Sequence, residues 1–145
     1  MIHHIIHGGR ELALIIRHSF RREGVEFFTP NAYSQQLGYM NHPAGYVIKP
    51  HVHNPVTREV QYTNEVLFIK RGRVRVNFYS DAQEYLESAI LETGDVILLS
   101  GGGHGFEMLE STEMIEVKQG PYAGDGDKTR FVPNLPTELI YKAKS

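Results

Sequence analysis

The stretch Gly45–Gly72, GYVIKPHVHNPVTREVQYTNEVLFIKRG, carries the residues that decide the predicted fold. It has His51 and His53 two positions apart, then Glu65 at the start of an apolar run. Alternate residues of a β-strand point to the same face, so a strand here would direct both imidazoles at one point. Imidazole is the commonest side-chain metal ligand, and the carboxylate offers a hard oxygen ligand. The stretch therefore predicts half of a mixed metal site.

The segment Gly94–His104, GDVILLSGGGH, predicts the other half. A tight turn at Gly94–Asp95, an apolar strand and a glycine run lead to a third histidine, His104. Three histidines and one carboxylate leave open positions on an octahedral ion, which is typical of a catalytic or ligand-binding site. We expect one divalent metal ion per chain. Zinc, nickel, manganese, iron and cobalt all suit this ligand set.

The paired segments resemble the two sequence motifs of the cupin superfamily, over about residues 44–120. The residues that carry this resemblance are Gly45, His51, His53, Glu65 and Gly72, followed by Gly94–His104. The resemblance implies a cupin double-stranded β-helix, a jelly-roll barrel, with the three histidines and Glu65 as metal ligands.

Two features depart from the usual cupin pattern. The gap between His53 and Glu65 is longer than is common, and Ser100 stands where cupins usually have proline. Glu59 and Gln61 lie in this gap, so either could replace Glu65 as the ligand. Glu65 is preferred because it alone keeps the usual spacing to the glycine that ends the motif.

A second resemblance lies near the C-terminus. The segment Met114–Phe131 is similar to the closing strand and tail of cupin-type phosphomannose isomerases, which implies carbohydrate chemistry. After Phe131 the chain continues as VPNLP rather than as those enzymes do, so their activity is not carried over.

Hydrophobic patterning predicts an all-β protein without help from any family. The segment Arg73–Tyr79 alternates apolar and polar residues, and other short strand patterns follow one another with turn signals between them. Many short strands without a long amphipathic helix indicate a double-sheet jelly roll or a small barrel. The further strands are predicted at residues 12–16, 24–29, 35–40, 46–53, 65–70, 85–91, 96–99, 105–109 and 114–117.

The chain is predicted to form one domain with three parts. Residues 1–43 form N-terminal strands and an arm, residues 44–120 form the barrel core, and residues 121–145 form an irregular tail. The arm contains His3, His4 and His7 before two glycines. We expect it to be mobile or packed on a partner rather than to bind metal. The tail ends in one last strand or turn near Leu139, or folds over the barrel mouth.

Composition limits the possible partners and location. The net charge of −2 gives no basic surface for nucleic acid or an anionic membrane. No apolar run approaches the roughly 20 residues needed to span a bilayer, and the N-terminus does not resemble a signal peptide. The chain has 0 cysteines, so cysteine can supply neither a metal ligand nor a nucleophile. We expect a cytoplasmic protein.

Two classes of function fit these features. The first is a metal-dependent isomerase acting on a small carbohydrate or sugar phosphate, with Glu59, Gln61 and Tyr62 as candidate proton-transfer or ligand-contacting residues. With iron the same site would suit a dioxygenase. The second is a non-catalytic metallocupin that binds a small molecule, and a metal-free jelly roll is a third possibility. Apolar residues on both faces of the strand after Glu65 indicate either a fully internal strand packed between sheets or a homodimer interface, and a homodimer is the commonest oligomer.

Overall fold

The computed structural model describes residues 1–142, and it is all-β, with 42% strand and 3% helix. The all-β prediction is confirmed. The single short 3₁₀ helix among the described residues is Gly124–Asp127. The strands are β1 (Ile2–His7), β2 (Arg10–Ile16), β3 (Gly24–Phe27), β4 (Gly38–Asn41), β5 (Glu65–Arg71), β6 (Arg73–Tyr79), β7 (Tyr85–Glu92), β8 (Val96–Leu99), β9 (Gly103–Met108) and β10 (Glu113–Lys118).

The strands form three antiparallel sheets, and none of them closes on itself. The largest has the order β1-β2-β8-β5-β10, the second has the order β7-β6-β9, and β3 pairs with β4 in a small third sheet. Apolar side chains from the five-stranded and three-stranded sheets meet in one core, which contains Ile15, Leu67, Val76, Ala89 and Ile97. The two larger sheets therefore pack face to face, an arrangement compatible with a jelly roll.

Most of the predicted strands are present in the structure. The predicted strands at residues 73–79 and 96–99 match β6 and β8, and those after Glu65 and Met114 match β5 and β10. On β6 the side chains of Val74, Val76 and Phe78 are buried, as strand alternation requires.

The predicted strand at residues 46–53 is wrong. Residues 46–61 have no regular secondary structure, and all of their side chains are exposed, Val52 by 86%. The segment has no neighbouring strand to pair with, and Pro50 and Pro55 lack the backbone N–H that a sheet requires. Because it has no strand to pair with, the short apolar run Tyr46–Ile48 does not form a strand.

The N-terminal arm is a regular strand of the largest sheet and not a separate mobile segment. The arm is strand β1, which pairs along its length with β2 and buries Ile5 in the core. Gly8 and Gly9 have φ of 60° and 74°. Positive φ at both central residues is what a tight hairpin turn needs, and glycine adopts it without strain.

The predicted tail is irregular apart from its 3₁₀ helix, and its last three residues, 143–145, lie outside the described part. No regular strand forms near Leu139, but Tyr141 makes an isolated bridge to Ser88 on β7. The middle of the tail lies along a cavity of about 810 Å³, named the main cavity here because both Glu65 and His104 line it.

Within residues 1–142 no helix has both the length and the apolar character needed to cross a bilayer.

Candidate functional site

A cavity of about 810 Å³ lies where several strands end near the tail. Its volume is in the range of small-molecule sites. Strands β2, β5, β6, β8 and β9 each contribute to its wall, and residues 127–131 and Pro133 of the tail complete it. The wall mixes aromatic, hydroxyl-bearing and charged side chains, a combination suited to a small polar ligand.

Glu65 and His104 face each other on this wall. Glu65 begins β5 and His104 is the second residue of β9, so one comes from each of the two large sheets. The Glu65 Oε2 atom lies 3.4 Å from His104 Nε2, and Glu65 Oε1 lies 3.5 Å from the Nζ atom of Lys118. These separations are long for hydrogen bonds and fit ion pairs. Lys118 is directly opposite Glu65 in the pairing of β10 with β5.

The surroundings keep the Glu65 side chain ionised. The neighbouring His104 imidazole is the main cause that lowers the pKa of Glu65, the Lys118 ammonium lowers it further, and partial burial opposes both. The carboxylates of Glu65 and Glu116 in turn raise the pKa of Lys118. The Glu65 carboxylate therefore lies beside the His104 ring in surroundings that favour its charged form.

The glycine run before His104 brings the backbone close to Tyr79. Gly102 has φ of 64°, and a Cβ atom built on it would lie 2.5 Å from the Tyr79 carbonyl oxygen. Only glycine fits this position without strain. The run lets β9 approach β6 closely and forms part of the cavity wall.

The C-terminal tail is fixed across the cavity by three contacts. Near its start the Asp127 carboxylate accepts a hydrogen bond from the Thr63 hydroxyl. In the middle the Phe131 ring packs edge-on against Tyr79, with ring centroids 5.1 Å apart. Beyond that, the backbone of Ile140 bonds to β7, where its carbonyl accepts from the Ser88 N–H at 2.7 Å. The tail is thus a wall of the cavity.

The four predicted metal ligands are not assembled in the structure. Glu65 and His104 are together, but His51 and His53 lie on the exposed, irregular segment and do not line this cavity. Their rings are near each other, with centroids 5.1 Å apart, and His51 Nδ1 lies 3.0 Å from the Lys49 carbonyl oxygen. No group of three His, Cys, Asp or Glu side chains is arranged to hold a metal ion in the part of the chain that the structure describes.

The arrangement therefore does not fit a metal held by all four residues. The Glu65 oxygens already face His104 and Lys118, while His104 Nδ1 is buried with no hydrogen-bond partner. A site made only of this pair would supply too few protein ligands for a tightly held ion. Residues 42–64 would have to change conformation to bring the other two histidines in.

The three predicted catalytic residues are separated. Tyr62 lines the main cavity, whereas Glu59 lines a different, open cavity beside Phe27 and Tyr33. Gln61 is exposed and does not line the main cavity. Of the three, only Tyr62 is placed to contact a ligand beside Glu65.

The sequence analysis did not select several residues of this wall. Arg10 on β2 pairs with Asp81 at 2.6 Å, and both line the cavity, as do Lys128 and Arg130 of the tail. Lys118, which contacts Glu65 but does not line this cavity, was also missed, because its position opposite Glu65 depends on strand register. The second motif resemblance, which ends at Phe131, was the one signal that pointed to the tail.

The arginines of β5 and β6 are paired with carboxylates and are not directed at the cavity. Arg71, Arg73 and Arg75 form ion pairs with Glu113, Glu92 and Glu107 respectively. They are a solvated, paired surface of the sheets.

Comparisons with protein-family models, with curated proteins and with solved structures found no match to this chain. The cupin resemblance therefore stays a prediction from the sequence motifs.

Proposed function

We propose that the cavity binds a small carbohydrate or sugar-phosphate-like molecule, and that the Glu65–His104 pair transfers a proton on it. The observation that carries this proposal is the 3.4 Å approach of these two side chains on the wall of a cavity of about 810 Å³. An ionised carboxylate beside an imidazole in a partly enclosed site is a frequent arrangement for general acid–base chemistry.

The proposed reaction is an isomerase-type proton transfer. A C–H bond next to the ligand's carbonyl breaks, its proton goes to the Glu65–His104 pair, and the bonding electrons move onto the carbonyl oxygen as an enediolate. The pair then delivers the proton to the former carbonyl carbon, while the hydroxyl proton on the adjacent carbon's oxygen moves to the former carbonyl oxygen, so the carbonyl group shifts by one carbon. The Tyr62 hydroxyl lines the same cavity and offers a hydrogen-bond donor to the developing oxyanion. The Lys118 ammonium, 3.5 Å from Glu65, is not part of the cavity wall and helps to keep that carboxylate ionised.

Deuterium exchange tests the catalytic proposal. The protein is incubated with mannose 6-phosphate in D₂O, and incorporation of deuterium next to the carbonyl is followed by NMR. Removing a general acid–base group slows proton transfer by about 10²–10⁴-fold, so Glu65→Gln and His104→Gln should each cause a loss of this order. Glu107→Gln, which removes an exposed carboxylate paired with Arg75, is the control and should leave the rate unchanged.

A wild-type protein that binds the sugar phosphate without exchanging a proton would refute the isomerase. It would favour the alternative, a non-catalytic small-molecule-binding protein that uses the same cavity.

The second candidate function is a metal-dependent one, in which His51 and His53 join Glu65 and His104 around a divalent ion. The favouring observation is that the two rings lie 5.1 Å apart on a segment with no strand partner. Such a segment can move at a lower cost than a paired strand. Zinc, nickel, manganese, iron or cobalt would suit the four ligands, and iron would favour a dioxygenase.

The jelly roll and the homodimer also remain proposals. The two facing sheets support a double-sheet jelly roll. The outer face of β5 and β10 supports self-association, because Phe68 and Ile115 lie opposite each other there and are 38% and 52% exposed. Light scattering on the purified protein tests the dimer.

A further inference from the structure

The cavity wall carries three carboxylates, and each already has a partner. Asp81 pairs with Arg10 at 2.6 Å, Asp127 accepts from the Thr63 hydroxyl, and Glu65 faces His104 and Lys118. The Thr63 hydroxyl satisfies Asp127 as a hydrogen-bond donor but does not cancel its charge, so Asp127 is the one carboxylate of this wall without an ion-pair partner among residues 1–142.

Two cations on the same wall have no such partner. Lys128 and Arg130 line the cavity from the tail, and neither forms an ion pair or a side-chain hydrogen bond with any residue in the range 1–142. Their positive charges are therefore available to a ligand that enters the cavity.

Arg10 and Phe131, the residue after Arg130, both pack against the glycine run Gly101–Gly103. A Cβ atom on Gly101 would lie 2.7 Å from the Arg10 guanidinium, and one on Gly103 would lie 3.4 Å from the ring of Phe131. Phe131 directly follows Arg130 and is held against Tyr79. The Arg10 guanidinium thus packs against one end of the glycine run and the residue that follows Arg130 packs against the other end, and both arginines line the same cavity.

We propose that Arg130, assisted by Lys128 and Arg10, binds a phosphate monoester of the ligand beside Gly101–Gly103. Guanidinium groups bind phosphate oxygens through paired, charge-assisted hydrogen bonds. The charges of Lys128 and Arg130 are offset only in part by Asp127, and a phosphate monoester, with a charge of about −1.5 to −2 at neutral pH, offers more acceptor oxygens to them than a carboxylate does. This inference rests on the proposed function, because it places the phosphate of the same ligand in the same cavity.

A titration with inorganic phosphate tests the subsite without knowledge of the whole ligand. Backbone amide shifts of the ¹⁵N-labelled protein are followed as phosphate is added, with sodium acetate and sodium chloride at matched ionic strength as comparisons. We expect saturable shifts at Gly101–Gly103 and Thr129–Phe131 with phosphate, and weaker or no saturation with acetate. Equal saturation by acetate would overturn the assignment to phosphate.

Two variants decide whether Arg130 is responsible. Arg130→Gln should weaken phosphate binding by about 10-fold or more, the effect of losing a charge-assisted hydrogen bond. Arg58→Gln, which removes an exposed arginine on the wall of the other open cavity, should bind phosphate like the wild type. The dispersed spectrum of each variant confirms that it is folded.

The same affinity in Arg130→Gln as in the wild type, or shifts spread evenly over all basic surfaces, would overturn the inference. This failure is distinct from that of the proposed function. The proposed function fails if the wild type exchanges no deuterium, or if Glu65→Gln exchanges it at the wild-type rate, whatever the result of the phosphate titration.

Discussion

Replacing Asp95 by asparagine should strongly destabilise the protein. The Asp95 carboxylate is 1% exposed and lies in the turn between β7 and β8. Its oxygens accept hydrogen bonds from the Arg17 guanidinium at 2.9 Å and from the backbone N–H groups of His18 and Glu92, both at 2.8 Å. Asparagine keeps the shape but removes the charge and turns a donor toward these donors.

The size of the effect follows from the environment of Arg17. Its side chain is only 4% exposed, so the variant leaves a buried cation without a counter-ion. Breaking a buried pair in this way costs about 3–5 kcal/mol of unfolding free energy. For a chain of this length that corresponds to a melting temperature lower by about 10 °C. Urea unfolding followed by circular dichroism measures the free energy directly.

The control is Asp81→Asn, which breaks an ion pair with Arg10 whose aspartate side chain is 73% exposed. This change should cost at most about 1 kcal/mol. Adding Arg17→Met to Asp95→Asn should recover part of the loss, because the uncompensated charge is then removed. A loss below about 1 kcal/mol for Asp95→Asn alone would refute the reasoning that the buried pair holds this turn.

Three further predictions concern the site. The lowered pKa of Glu65 means that its carboxylate stabilises the fold above its unfolded pKa, and that this contribution is lost as pH falls through the folded value. Urea unfolding at several pH values should therefore show that the unfolding free energies of the wild type and of Glu65→Gln approach each other as the pH falls. A difference in unfolding free energy that stays constant with pH would contradict this prediction. Gly102→Ala should lower the unfolding free energy by at least about 1–2 kcal/mol, because Gly102 has a positive φ and lies close to a carbonyl oxygen. The control Gly126→Ala, at a position with open space around it, should change the unfolding free energy far less. Equal losses in the two variants, measured by urea unfolding, would contradict the prediction that Gly102 is required by its backbone conformation. The double change His51→Ala with His53→Ala should leave the unfolding free energy within about 0.5 kcal/mol, because both side chains are exposed on an irregular segment. Under the second candidate function it should also lower the metal content measured by elemental analysis after each ion is added, and unchanged metal content would rule that candidate out.

The local sequence by itself determined most of the strands. The alternation of apolar residues over Arg73–Tyr79 is the period of a half-buried strand, and β6 has these bounds. The turn signal at Gly94–Asp95 likewise separated β7 from β8. These features depend on neighbours a few residues apart, so the sequence carries them without tertiary information.

The sequence misjudged two segments, because a segment forms a strand only where a neighbouring strand pairs with it. The residues 46–53 have strand-like composition, but a strand needs a neighbour for its backbone groups, and none is supplied. The N-terminal arm has a weaker pattern, yet β2 gives it a full set of backbone partners. The availability of a sheet edge, which the sequence does not state, decided both cases.

The tertiary structure alone decided which residues form the candidate site. Glu65 meets His104 because the two large sheets pack face to face, and it meets Lys118 because of the register of β10 on β5. Arg130 reaches the cavity because Phe131 packs on Tyr79, a residue far away in the chain. Contacts between distant residues are fixed by the packing of the whole core, so the sequence could name Glu65 and His104 but could not supply their neighbours.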